Sequence, residues 1–145
     1  MRTLFDTSVL VAAMVETHSS HVLALAAVQA VIGGDESGLV STHSLAELYS
    51  TLTRMPLSPR IDGPTAWRMI ERTVTQHFDL VSLDAADYTE LLKRLSMAGL
   101  VGGIAYDAVI AHAAEKAAAD RIWTLNTADF TRLRLPASIA VEAPE

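Results

Sequence analysis

Thr3-Leu4-Phe5-Asp6-Thr7-Ser8-Val9-Leu10 joins a short β-branched and aromatic run to a stretch of helical spacing, with a single acid at the join. The same change of texture recurs along the chain, and the recurrence decides the fold. Strand candidates are Thr3–Phe5, Leu39–Ser41, Leu80–Ser82 and Ile122–Leu125, with a weaker one at Ile139–Val141. Helical spacing covers Ser8–Val15, Val22–Ile32, Leu45–Arg54, Thr65–His77, Tyr88–Met97 and Tyr106–Ala119. Strand, helices, strand, repeated, predicts right-handed crossovers, a central parallel sheet of four to five strands and helices on both faces, a three-layer α/β/α architecture.

Several boundaries have local causes. Pro64 suits a first helical turn, Ser44 suits a cap for the helix that follows it, and Gly33-Gly34 and Gly38 release the chain before the second strand. Met55–Gly63, with Pro56 and Pro59, reads as a helix-to-helix connection and not as a linker between domains. Ala98–Ala105, with Gly99, Gly102 and Gly103, is long enough if extended to carry the chain back to the strand-end edge.

The 145 residues fit one domain spanning 1–145. Half the chain is apolar, 19% is charged and mean hydropathy is +0.28, which excludes a disordered chain. A net charge of -6 excludes a uniformly basic protein that coats nucleic acid, although local basic patches remain open. The absence of cysteine removes disulfides, thiolate–zinc sites, Fe–S clusters and Cys nucleophiles, and fits a reducing compartment. Asp6 interrupts the start where a secretion signal needs a continuous apolar run. The longest stretch free of Asp, Glu, Lys and Arg, Thr17–Gly34, is broken by His18, Ser19, Ser20, His21 and Gln29 and falls short of a membrane span. A cytoplasmic protein with no membrane association is expected.

In parallel α/β sheets all strands end at one edge, and ligands collect in the crevice there. Asp6 closes the first strand, Glu47 lies a turn into the helix after the second, Asp107 opens the helix near Tyr106, and Asp129 follows the fourth strand. Four carboxylates meeting without basic partners would repel one another unless a cation sat among them. Oxygen ligands without Cys, and without a compact His pair plus acid, suit Mg²⁺ or Mn²⁺ better than Zn²⁺. Such a site points to phosphodiester hydrolysis. Each acid also has a plain structural reading: Asp6 and Asp129 as helix caps, Glu47 as the partner of Ser44 in a capping box, Asp107 as a charge favoured by a helix N-terminus. Asp84, after the third strand, is read as a cap. The pair His18 and His21, and the single residues His43 and His112, are read as structural.

These positions and their neighbours resemble the PIN-domain ribonucleases, in particular the VapC toxins of type II toxin–antitoxin modules. Leu4-Phe5-Asp6-Thr7-Ser8-Val9-Leu10 resembles the family's opening strand and its D-T/S-S/N signature. Val40-Ser41-Thr42-His43-Ser44-Leu45-Ala46-Glu47-Leu48 resembles the segment ending in a helix-borne Glu, and Tyr106-Asp107-Ala108-Val109-Ile110-Ala111-His112-Ala113-Ala114 the D-A-x-I-A-A-x-A helix. Trp123-Thr124-Leu125-Asn126-Thr127-Ala128-Asp129-Phe130 resembles the closing T-x-N/D-x-x-D/H-F element. The resemblance spans nearly the whole chain and implies a PIN-like domain. By it, Asp6, Glu47 and Asp107 are catalytic metal ligands and Asp129 is the fourth acid, while Asn126, an amide where family members can carry an acid, orients water or phosphate. Thr7 and Thr124 are expected to orient the carboxylates.

The reading that follows is a Mg²⁺- or Mn²⁺-dependent endoribonuclease toxin, hydrolysing phosphodiester bonds in tRNA, rRNA or mRNA, leaving 3′-hydroxyl and 5′-phosphate ends and arresting translation and growth. Nine of the eleven basic residues are Arg, and Arg54, Arg60, Arg68 and Arg72 gather around Met55–Gly63, where they are expected to track RNA phosphates. The resemblance also implies a homodimer and a VapB-type antitoxin, forming a heterotetramer or larger assembly. An inhibitory segment is expected in an apolar groove among Met14, Val15, Leu48, Leu52 and Met55. The competing readings are a receiver-like Mg²⁺-binding phosphorelay domain and a catalytically silent PIN scaffold. Nucleotide-binding G-x-G-x-x-G and G-K-[ST] and hydrolase G-x-S-x-G motifs are absent.

Overall fold

The computed structural model describes all residues, 1–145. Strands β1 (Arg2–Phe5), β2 (Ser37–Ser41), β3 (Asp79–Val81), β4 (Arg121–Trp123) and β5 (Ala140–Glu142) form one sheet in the order β3-β2-β1-β4-β5. Every pairing is parallel, with Leu4 facing Leu39 on one side and Ile122 on the other. The chain builds outward from β1 to β3, then crosses back to β4 beside β1. The crevice where the winding direction changes therefore opens between the ends of β1 and β4. The flavodoxin-like order 2-1-3-4-5 of receiver-type domains is a different arrangement, which removes that alternative.

Alternation along the strands sorts the core into two layers. Phe5 and Val40 face one side, where they meet α1 (Thr7–Met14), α2 (His21–Ile32), α3 (Thr42–Arg54) and α4 (Gly63–Ile70), the last continuing as one π turn over Glu71–Thr75. Leu4, Leu39 and Ile122 face the other side and pack on α6 (Ile104–Lys116) and α7 (Thr127–Thr131). The alanines Ala111, Ala113 and Ala114 let α6 lie close to the sheet. Helix α5 (Ala85–Ala98) packs outside it, Leu91 and Leu95 on Ala108 and Val109. Polar contacts fix the same seam. Lys116 Nζ reaches Asp87 Oδ2 at 2.6 Å, which holds the Asp87 carboxyl well below the usual carboxylate range. Arg94 donates to His112 Nδ1 at 3.0 Å, so the ring proton sits on Nε2, 3.3 Å from Asp87 Oδ1.

Most predicted elements lie within a few residues of the observed ones. Asp84 is a cap, in a reciprocal capping box with Asp87. Four expectations need correction. Ser44 does not start α3: Ser41 caps it, accepting from the His43 N–H, and Ser44 is buried a turn inside, so Glu47 belongs to no capping box. The 98–105 segment is not extended; Gly99 ends α5 in the left-handed conformation at φ 68° and α6 starts at Ile104, so the helix itself and not a long loop delivers Asp107. The helix predicted over Thr65–His77 begins at Gly63, where Asp62 caps it and Pro64 takes the first turn, and its last part loosens into the π turn. The apolar set proposed as a docking groove is core: Leu48 and Leu52 are fully buried and Val15 nearly so, with Met14 and Met55 packed against them. No helix is long and apolar enough to cross a membrane.

Gly38 in β2 shows how tightly the first layer closes. A Cβ there would come within 2.5 Å of the Phe78 ring and 2.7 Å of Val31 Cγ1. Phe78 is in turn held edge-on by Phe5, with ring centroids 5.0 Å apart. Gly38→Ala is expected to cost about 1–3 kcal/mol of stability by overpacking, measured by urea unfolding.

Candidate active site

The end of β1 is stitched to β4 before any side chain is considered: the Asp6 N–H donates to the Trp123 carbonyl at 2.9 Å. Asp6 then occupies the N-cap position of α1, yet its side chain accepts no capping bond. Its Oδ2 is held instead by two hydroxyls, Ser8 at 2.6 Å and Thr124 at 2.8 Å. Each hydroxyl also accepts a backbone N–H from the β4 loop, Leu125 to Ser8 and Asn126 to Thr124, both at 3.0 Å. With their lone pairs engaged in this way, both hydroxyls direct their protons at Asp6. Both bonds fall on one oxygen, so Oδ1 is left to the cavity.

Glu47 is oriented by the same device on the other flank. Thr7 Oγ1 lies 3.0 Å from Glu47 Oε1 and 2.9 Å from Ser44 Oγ. An ionised carboxylate only accepts, so the Thr7 proton goes to Glu47 and Ser44 donates to Thr7. His43 Nε2 stands 3.2 Å from the same Oε1 but off the line of a hydrogen bond, and this buried nitrogen has no other partner.

A cavity of about 500 Å³ opens over these groups, lined by Asp6, Glu47, Asp107 and Asn126 together with His18 and Thr51. Asp107, in the first turn of α6, shows what the convergence does electrostatically. Burial pushes its carboxyl up to about 6, and the neighbouring charges of Asp6, Asp129 and Glu47 push in the same direction. Three predicted acids and Asn126 thus share one cavity; Asp129, exposed in the first turn of α7, acts on Asp107 from outside its wall. Neither Asp107 nor Asp129 is used as a helix cap, since Gly103 and Asn126 hold those positions.

The acids on this wall fit a hard divalent cation: their carboxylates repel one another, Asp6 and Glu47 are fixed by hydroxyls, and no Lys or Arg lines the cavity, the one imidazole there being that of His18, whose Nδ1 already accepts from the Ser20 N–H. No three His, Cys, Asp or Glu side chains stand close enough to form a finished metal cage. Asp6 and Glu47, with Asp107 and either Asn126 or Asp129, are the residues able to hold such an ion.

Sequence reasoning missed Ser8, His18 and Thr51. Ser8 was legible, being the third residue of the Asp6-Thr7-Ser8 string. Spacing in the sequence pairs His18 with His21, but the two rings do different things: His18 Nδ1 accepts from the Ser20 N–H at 3.0 Å, whereas His21 Nδ1 lies 2.9 Å from the Ala12 carbonyl. Only the turn between α1 and α2 brings His18 to the cavity. Of the four arginines, Arg54 ends α3, Arg60 lies in the α3–α4 connection, Arg68 sits in α4 and Arg72 in the π turn beyond it; all are exposed and none is in an ion pair, with Arg68 within 3.2 Å of Thr65 Oγ1.

A five-stranded parallel sheet with acids at its switch point defines a class, and comparison places the chain within it. The sequence profile of the PIN domain matches residues 3–135. Ribonuclease VapC27 of Mycobacterium tuberculosis is 39% identical over 110 residues, covering 75% of this chain and 74% of the relative. Among solved structures, VapBC2 from Rickettsia felis bound to a promoter DNA fragment superposes with a TM-score of 0.69 at 19% identity, covering 100% of both chains. VapC20 of Mycobacterium tuberculosis, described as a sarcin–ricin loop cleaving toxin, superposes with a TM-score of 0.71 at 14% identity, covering 92% of this chain and 96% of that one. The chain belongs to the PIN-domain family, among the VapC ribonucleases.

The raised Asp107 carboxyl has a measurable consequence. Its proton is held more tightly in the folded chain than in the unfolded one, so metal-free protein loses stability as pH rises from 3.8 toward about 6. In chelator, Asp107→Asn is expected to raise unfolding free energy above that range by up to about 3 kcal/mol and to change little below it, as read by denaturant titration.

Proposed function

We propose that this chain is the toxin of a VapBC-type module, a divalent-metal-dependent endoribonuclease, with residues 1–145 acting as one PIN module. The observation that carries the reading is the convergence of Asp6, Glu47 and Asp107 on one cavity at the sheet's switch point, within a VapC ribonuclease family member. Asp6, Glu47 and Asp107, completed by Asn126 or Asp129, would hold Mg²⁺ or Mn²⁺. When bound, that ion activates water and neutralises charge on the scissile phosphate.

The chain's own residues prepare the site. Ser8 and Thr124 hold Asp6, and Thr7 holds Glu47, so that neither carboxylate has to be ordered when substrate arrives. Asn126 presents an amide on the same wall, able both to donate to a phosphate oxygen and to accept from water. Arg54, Arg60, Arg68 and Arg72, free of ion pairs, supply positive charge for the RNA backbone beside a site that is itself acidic. An RNA target supports a cytoplasmic location. Related structures are VapBC and FitAB complexes, which supports a VapB-type antitoxin as partner; a toxin homodimer within that complex is part of the proposal.

The test is cleavage of cellular RNA by the purified chain with Mg²⁺ or Mn²⁺, with the new 5′ ends sequenced. Activity is expected to vanish in EDTA and in Asp6→Asn, and to fall about 10- to 100-fold in Thr124→Val with the fold intact. Cleavage that persists in both EDTA and Asp6→Asn overturns the reading. In the same assay, neutralising Arg60 and Arg68 should flatten the salt dependence of RNA binding; an unchanged slope removes them from the interface.

A further inference from the structure

Helix α6 buries eight of its thirteen residues, yet Tyr106 in its first turn is 60% exposed. The ring is not loose. One face lies parallel to the His43 imidazole, with centroids 5.5 Å apart and planes 2° from parallel. His43 is itself set by α3, where its N–H bonds to the Ser41 cap. The result is an exposed aromatic ring supported along one side by an offset-stacked imidazole.

The position of the plate gives it a use. Tyr106 immediately precedes Asp107, and His43 stands one helical turn before Glu47, its Nε2 3.2 Å from Glu47 Oε1. The stacked pair therefore bridges the two helices that carry two of the cavity's acids, beside the cavity and not within its wall. A polynucleotide whose phosphate sits over the acids can place a neighbouring base on this flank. An exposed aromatic ring supported in this way takes such a base with little loss of freedom on the protein side.

We propose that the outer face of Tyr106, backed by His43, is a nucleobase platform: an unpaired base of the RNA next to the bound phosphate stacks on it. The proposal rests on the ribonuclease reading for its ligand and deepens it. Within a duplex both faces of a base are covered by its neighbours, so the platform selects single-stranded or looped RNA. Every base has a π face, so it selects for unpairing more than for sequence. Tyr106 is then a substrate-binding residue and His43 a positioning one.

Two readouts keep the proposal separate from the reading beneath it. The first is equilibrium binding of the full chain, in Ca²⁺, to a short unstructured oligoribonucleotide, followed by anisotropy. The second is cleavage of the same RNA in Mg²⁺. Tyr106→Ala and Tyr106→Leu are expected to weaken binding roughly 5- to 150-fold, while Tyr106→Phe and Tyr106→Trp stay near wild type. Removing one base at a time should reveal a position whose loss costs wild type that same factor and costs Tyr106→Ala nothing. A blunt RNA duplex should bind wild type and Tyr106→Ala alike. The platform is overturned if Tyr106→Leu binds like Tyr106→Phe, if every abasic position costs both proteins equally, or if wild type binds no RNA. If wild type binds RNA with this pattern and cleaves none, the ribonuclease reading fails and the platform stands.

Discussion

The grip of two hydroxyls on one carboxylate oxygen organises the active end of this protein. Asp6 leaves β1 at the point where the sheet changes direction, and Thr124 leaves β4 beside it. The Thr124–Asp6 and Ser8–Asp6 bonds, each backed by a backbone N–H of the β4 loop, tie the first and fourth strands together at their ends. Residues more than a hundred positions apart in sequence become one side of a cavity. A buried carboxylate held this way keeps one oxygen bonded within the protein and one available to a ligand.

From that anchor the other acids take their places through the elements that carry them. Helix α3 starts at the end of β2, next to β1, and its second turn delivers Glu47 to the Thr7 hydroxyl. Helix α6 comes from the opposite layer and presents Asp107 from its first turn. The cost of bringing these charges together is visible at Asp107, whose carboxyl is pushed up to about 6 by burial and by its acidic neighbours. A cation among these acids would relieve that penalty.

The alternation of textures in the sequence carried the layer order, because strand and helix periods differ and parallel crossovers have one hand. It carried Asp6, Glu47 and Asp107 as well, since each follows a strand or opens a helix. Pairings between distant residues were beyond its reach. Ser41, not Ser44, caps α3 because β2 ends against β3 and the chain turns at once, a tertiary fact with no local signature. The apolar set Met14, Val15, Leu48, Leu52 and Met55 reads equally well as groove or core until the helices of the first layer close over it. His18 reaches the cavity only through the turn after α1, and Tyr106 gains meaning only when α3 brings His43 beneath its ring.

Titration of Mn²⁺ into the metal-free chain by calorimetry, in buffers of different ionisation enthalpy, tests the convergence most directly. The account predicts saturable binding abolished by Asp6→Asn, with proton release near pH 6 that disappears in Asp107→Asn. Absence of binding, or binding indifferent to both substitutions, would contradict it.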